Sequence, residues 1–189
     1  MKIGVIGVGR LGQDCAEVMA EHGHEVSGYD VVPFESETIA QIETIEELVK
    51  DKEYVFVSVP TPHDPAYDGS TPAMHLEPKD FNYDIATSVI AEANKYMNDS
   101  QSIILISTVM PGTIRKQIIP LVTNTNFDYN PYLIAMGTIR WDMVNPEMIM
   151  IGTEDGSETG LAKELKAFYD SFMENLSLIH ISEPTRLRR

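Results

Sequence analysis

Apolar residues in this chain fall into short solid runs, separated by stretches where they recur every three or four positions. Residues 2–7 (KIGVIG), 25–30 (EVSGYD), 54–59 (YVFVSV), 102–109 (SIILISTV), 128–135 and 148–152 (MIMIG) read as strands. Between them, residues 10–22 carry Leu11, Cys15, Val18 and Met19 at helical spacing, and Gly23 suits the position just past a helix end. Residues 44–50, 81–97 and 160–174 read as further helices, with one more starting near Pro111, whose proline fits a first turn. Strands apolar throughout and alternating with helices predict a parallel sheet covered on both faces. The fold class is therefore α/β, a doubly wound parallel sheet of Rossmann type, as one domain over residues 1–175.

The alternation breaks at residues 60–80 (PTPHDPAYDGSTPAMHLEPKD), a loop with five prolines. Loops this long in a compact domain are functional or mobile. His63, Asp64, Asp68, His75 and Glu77 share it, but no pair has the spacing that sets two imidazoles on one helical face. A solvated loop beside a ligand site is expected there, and no metal. His22 and His24 flank a turn glycine and need no role. The acidic run from Glu35 to Glu53 reads as a solvated face.

Composition narrows the function. A net charge of −15 over 189 residues argues against a nucleic-acid face or an anionic membrane surface, both of which require clustered Lys and Arg. Any anionic ligand must be held by a local device such as a helix N-terminus. A single cysteine, Cys15, excludes an internal disulfide and a multi-cysteine metal site, so a cytoplasmic setting is expected. No apolar run approaches the ~20 residues that span a bilayer.

That local device stands at Gly7-Val8-Gly9-Arg10-Leu11-Gly12, a G-x-G-x-x-G that follows a strand and opens a helix. Asp30 ends the next strand about 20 residues on, as the dinucleotide fingerprint requires. Gly7 permits the tight turn, Gly9 lets backbone approach a pyrophosphate, and Gly12 allows close helix–sheet packing. Asp30 would accept hydrogen bonds from the adenosine ribose hydroxyls and repel a 2′-phosphate, which favours NAD over NADP. Val31, Val32 and Pro33 follow it, with no Arg to receive that phosphate.

The last fourteen residues do not match the rest. They carry three Arg and one Glu, and LSLIHISEPTR (residues 176–186) coincides with the translation of a transposase adapter used in short-read sequencing. Authentic sequence is expected to stop near Asn175, with residues 176–189 set aside as an artefactual tail.

Several motifs occur in a fixed order: GVIGVGRLG, GHEVSGYD, VSVPTP, STVMPGT, YNPYLIAMG and NPEMIMIG. With these the chain resembles the N-terminal NAD-binding domain of the UDP-glucose/GDP-mannose dehydrogenase family. The resemblance implies oxidation of the primary alcohol of a nucleotide sugar to a carboxylate, with NAD as acceptor and a covalent intermediate on a cysteine. It implies that Val59, Pro60 and Thr61 line the cofactor. Thr108 would sit near the nicotinamide and hydrogen-bond a water or the substrate hydroxyl, as the catalytic residue of this half. Asn130, Pro131 and Tyr132 would contact substrate. It further implies a nucleotide-sugar partner bound with the help of a second half, and a full-length homodimer or higher oligomer.

The chain departs from the family pattern Asn-Pro-Glu, three residues, Glu-Gly. Asn130, Pro131 and Gly137 match, but Tyr132 and Met136 replace both glutamates. A tyrosine hydroxyl with a pKa near ~10 is a poor base at neutral pH. Asp142 matches an acidic position of the family and also suits a turn cap. Trp141 could stack on a sugar or nucleotide, or serve as core or lid. Cys15, at core spacing on the first helix, is expected to pack rather than react, and the family's nucleophile lies in its second half. Alternatives are a single-step dehydrogenase of the 6-phosphogluconate/β-hydroxyacid type and a non-catalytic NAD-sensing module.

Overall fold

The computed structural model describes residues 1–72, 74–135, 137–153, 156–158 and 160–174, and the backbone of 178–182. Its strands are β1 (Lys2–Ile6), β2 (Glu25–Tyr29), β3 (Ala40–Gln41), β4 (Tyr54–Val57), β5 (Ser102–Leu105), β6 (Asn126–Tyr129), β7 (Ile149–Thr153) and β8 (Leu178–Ser182). Its helices are α1 (Arg10–Glu21), α2 (Ile45–Val49), α3 (Asp84–Tyr96), α4 (Ile139–Val144) and α5 (Leu161–Asp170). They build one sheet in the order β3-β2-β1-β4-β5-β6-β7-β8. From β3 to β6 all neighbours are parallel. The order reverses between β1 and β4, and in open α/β sheets ligands bind beyond the strand ends at such a switch point.

Each face of the sheet carries its own core. On one, α1 (Cys15, Ala16, Met19), α4 (Ile139, Met143) and α5 (Leu165, Phe168, Tyr169) pack on Ile3, Val5, Phe56 and Ile104. On the other, α2 (Leu48, Val49), α3 (Ala86, Ile90, Ala93), Ile114 and Ile118 cover Ile6, Val55, Val57, Ile103 and Leu105. The central strands are buried on both sides, which is why their sequences are solid apolar runs instead of alternating ones.

Several boundaries differ from the sequence reading. β4 and β5 stop at Val57 and Leu105, earlier than expected, because the N–H groups of Ile106 and Ser107 both turn to the Val57 carbonyl. α3 starts at Asp84 and not at residue 81, since Asp80 Oδ1 accepts from the Phe81 N–H and Asn82 Oδ1 from the Asp84 N–H. The helix expected from Pro111 is a π-helical turn at Ile114–Ile118 followed by a 3-10 turn at Ile119–Leu121 that contains Pro120. A strand expected at residues 128–135 forms instead at Asn126–Tyr129, in register with Ser102–Leu105. Pro131, which has no N–H to offer a ladder, follows one residue later.

Two further features concern topology. β7 pairs antiparallel with β6, Tyr129 opposite Gly152, so the sheet is mostly and not wholly parallel. Leu178–Ser182, set aside as tail sequence, runs parallel to β7 as β8. Its Leu and Ile residues favour an extended strand whatever their origin.

Candidate functional site

The turn from β1 into α1 owes its shape to missing side chains. The Gly7 N–H donates to the Tyr29 carbonyl (2.9 Å) and the Ser58 N–H to the Ile6 carbonyl (2.8 Å), drawing β1, β2 and β4 together at their carboxyl ends. Gly7 has φ +91°, and a Cβ there would lie 2.3 Å from the Ser58 oxygen. A Cβ on Gly12 would lie 1.9 Å from the Gly7 oxygen. Both positions admit glycine alone. At Gly9, by contrast, an added Cβ meets nothing within 4 Å. That glycine opens onto free space at the head of α1, where no side chain caps the helix, leaving N–H groups available to an anion.

Asp30 braces the same turn. Its Oδ2 accepts the Val8 N–H (2.8 Å) and its Oδ1 the Val32 N–H (2.9 Å). Each carboxylate oxygen thereby keeps a lone pair for a further donor. Val31 and Val32 beyond it are exposed. Val8 is buried, Leu11 half-buried and Arg10 exposed at the first position of α1.

Across the switch point, the segments after β4 and β5 are stitched together. Buried Ser107 accepts the Val59 N–H (2.9 Å) and donates its own hydroxyl to the Val59 carbonyl (2.7 Å). Thr61 Oγ1 donates to the Thr108 carbonyl (2.7 Å). Val59 is buried, Pro60 exposed and Thr61 half-buried, while Thr108 is exposed at the end of its segment. The fold thus gathers Gly7–Gly12, Asp30, Val59–Thr61 and Thr108 at the carboxyl end of the sheet.

The third expected group behaves differently. Asn130 is fully buried, and its amide is engaged at both ends: Nδ2 donates to the Met150 carbonyl (2.8 Å) and Oδ1 accepts from the Tyr169 hydroxyl. Since Tyr169 donates there, the Tyr132 hydroxyl is left to donate to Tyr169 Oη, 2.6 Å away. Burial pushes both phenols well above their usual pKa. Tyr132 therefore ties the loop after β6 to α5, and Asn130 is an internal brace between Met150 and Tyr169. Pro131 and Tyr132 border a small cleft with Asp142, Met148 and Met173. Asp142 caps the turn before it, accepting from the Ala135 N–H (3.0 Å) and Thr138 Oγ1 (2.7 Å). Met136 lies outside the described residues.

Other candidates resolve in the same terms. Cys15 is wholly buried and burial raises its thiol pKa, so it packs. Asp64 pairs with Lys79 and caps a short turn at Pro65–Tyr67. Among the described residues, no three His, Cys, Asp or Glu side chains gather as a metal site. Trp141 is exposed on α4. Sequence reasoning missed Tyr169 and Asp128. Asp128 lies on β6 with its Oδ2 buried and unpartnered, and burial raises its pKa to about 7. Its one sequence signal was an acid inside the strand NFDY.

A strand order of 3-2-1-4-5-6, a glycine turn at the switch point and a carboxylate closing β2 define a Rossmann-type dinucleotide-binding domain. Residues 34–173 match the UDP-glucose/GDP-mannose dehydrogenase family, NAD binding domain. Residues 1–66 match the NAD binding domain of D-isomer specific 2-hydroxyacid dehydrogenases. The chain belongs to the UDP-glucose/GDP-mannose dehydrogenase family. It is 24% identical to GDP-mannose 6-dehydrogenase of Pseudomonas aeruginosa, over 87% of this chain and 44% of that protein. It is 28% identical to UDP-N-acetyl-D-mannosamine dehydrogenase of Methanococcus maripaludis, over 92% of this chain and 43% of that one. The solved ternary complex of GDP-mannose dehydrogenase from Pseudomonas aeruginosa superposes with a TM-score of 0.78 at 20% identity, covering 97% of this chain and 47% of the other. The chain thus spans less than half the length of the curated relatives it matches.

Proposed function

We propose that this chain is the cofactor-holding part of an NAD-dependent dehydrogenase that oxidises the primary alcohol of a UDP- or GDP-sugar. The observation that carries the reading is the turn over Gly7–Gly12, open at Gly9 and braced at Val8 by Asp30. The residues fit the adenosine diphosphate portion of NAD. The N–H groups at the head of α1 suit the pyrophosphate, with Arg10 adding a cation beside them on an otherwise acidic chain. The spare lone pairs of Asp30 suit the ribose hydroxyls, and its charge disfavours a 2′-phosphate. Bound there, NAD would supply the hydride acceptor.

On the other side of the switch point, Val59, Pro60 and Thr61 would line the nicotinamide half. Thr108 would orient a substrate hydroxyl or a water by hydrogen bonding. The relatives' names, GDP-mannose 6-dehydrogenase and UDP-N-acetyl-D-mannosamine dehydrogenase, are the support for a nucleotide-sugar substrate.

Calorimetric titration with NAD+, NADH and NADP+ tests this. Binding of NAD+ and NADH with NADP+ at least about tenfold weaker supports the reading; no binding at millimolar cofactor overturns it. A second reading, a module that binds NAD without catalysis, draws on Tyr132, whose hydroxyl is committed to Tyr169 and unavailable as a base. Turnover of a nucleotide sugar by the intact gene product would dismiss it.

A further inference from the structure

The backbone that carries Thr108 is held by side chains from several other segments. Thr61 donates to the Thr108 carbonyl, and the Val109 N–H reaches the Tyr129 hydroxyl at 3.4 Å. The most fully engaged holder is Tyr83, immediately before α3. Its ring is buried, with 4% exposure, and packs edge-on against Phe81. Its hydroxyl accepts the Met110 N–H (3.0 Å), donates to Asp80 Oδ1, and meets the Thr113 side chain. A phenol has one proton to give and two lone pairs to share, so this hydroxyl is saturated. Asp80 ends the long loop 60–80 and is itself exposed. One buried hydroxyl therefore joins that loop to the segment after β5.

We infer that Tyr83 is a positioning residue for the nicotinamide end of the crevice: by holding Met110, it fixes the backbone on which Thr108 is presented. This rests on the reading of the crevice as an NAD site. Without the hydroxyl the Met110 N–H loses its acceptor, and the short segment from Thr108 to Gly112 can turn toward water to recover one. The adenosine end, built on Gly7–Gly12 and Asp30, shares no hydrogen bond with Tyr83. A positioning role thus predicts damage to one half of the ligand only.

The test is calorimetry of NADH and of ADP-ribose, which lacks the nicotinamide, with the parent chain and with Tyr83→Phe, which keeps the ring. Tyr83→Phe should weaken NADH binding by about five- to tenfold and shift the emission of bound NADH, with ADP-ribose affinity changed by less than about twofold. Asp80→Ala, at an exposed position, should do the same to a smaller extent, about two- to threefold. It carries the test if Tyr83→Phe does not fold. Equal losses for both ligands would mean a general structural role and overturn the inference, as would unchanged NADH binding in both variants. Failure of the parent chain to bind even ADP-ribose would strike the crevice reading itself and this inference with it.

Discussion

The two halves of the sheet hold their loops by opposite means. At β1 and β4 the site is a hollow shaped by glycines, where a single added carbon at Gly7 or Gly12 would run into backbone oxygen. At β6 and β7 the loop is held by polar side chains inside the core: Asn130 and Tyr169 are both at 0% exposure, with Asp128 beside them on the same face of the sheet. The first half is shaped mainly by sterics and is intolerant of bulk. The second is fixed by hydrogen bonds, sensitive to protonation and intolerant of a missing partner. The β6–β7 crossing also leaves a mismatch. Its register sets Asp128 opposite Thr153, and Asp128 Oδ2 and Thr153 Oγ1 are both buried without a partner.

The strongest way to separate the halves is Gly12→Val. Because the clash is with backbone and cannot relax by a rotamer change, the loss should exceed about 4 kcal/mol and appear as failure to fold. Gly9→Ala, with open space above it, should cost under about 1 kcal/mol by the same denaturant titration. Similar losses in the two variants would erase the steric account of the turn.

Next in size is the pH dependence of the second half. In the folded chain Asp128 holds its proton up to about 7, whereas its ordinary value is 3.8. Between those values the folded state binds more protons than the unfolded, so stability falls as pH rises. The contribution is fully present only below the lower value. The swing is roughly 4 kcal/mol across that window. Asp128→Asn should flatten this part of the urea-unfolding profile, and an unchanged slope would remove Asp128 as its source.

Tyr169→Phe should cost about 1–3 kcal/mol, since Asn130 Oδ1 and the Tyr132 hydroxyl both lose their partner in the interior. Thermal unfolding of Tyr132→Phe beside it should show a smaller loss, because Tyr169 still donates to Asn130. The smallest effect belongs to the surface link between α1 and α4, where Arg140 reaches Glu17 (3.0 Å) and Glu21. These charges are partly exposed, so Arg140→Ala should cost less than about 1 kcal/mol, and less still at high salt.

The same contrast explains what could be read from the chain before folding. Gly7–Gly12 and Asp30 are local signals: a strand, a glycine spacing and an acid at a set distance sufficed to place the turn. β1, β2 and α1 followed from period alone. Around β6 the sequence misled. Residues 128–135 read as one strand, but the ladder closes with the Asn130 N–H on the Leu105 carbonyl, because Pro131 cannot donate. The inward fixing of the Asn130 side chain depends on Tyr169, about forty positions further on in α5, a distance no local window spans. The antiparallel entry of β7 and the short helix α4 are equally products of tertiary contacts. Asp128 stood in plain view, yet its burial is set by the helix packed over it and not by its neighbours in sequence.

The proposed grip of the first turn and Asp30 on the adenosine diphosphate end of NAD carries the cofactor reading. Its most direct test is calorimetric titration of NAD+ into the parent chain, Gly9→Val and Asp30→Ala, with circular dichroism confirming that each is folded. The parent should bind, and both variants should lose at least about tenfold in affinity. Equal affinity in all three would contradict it.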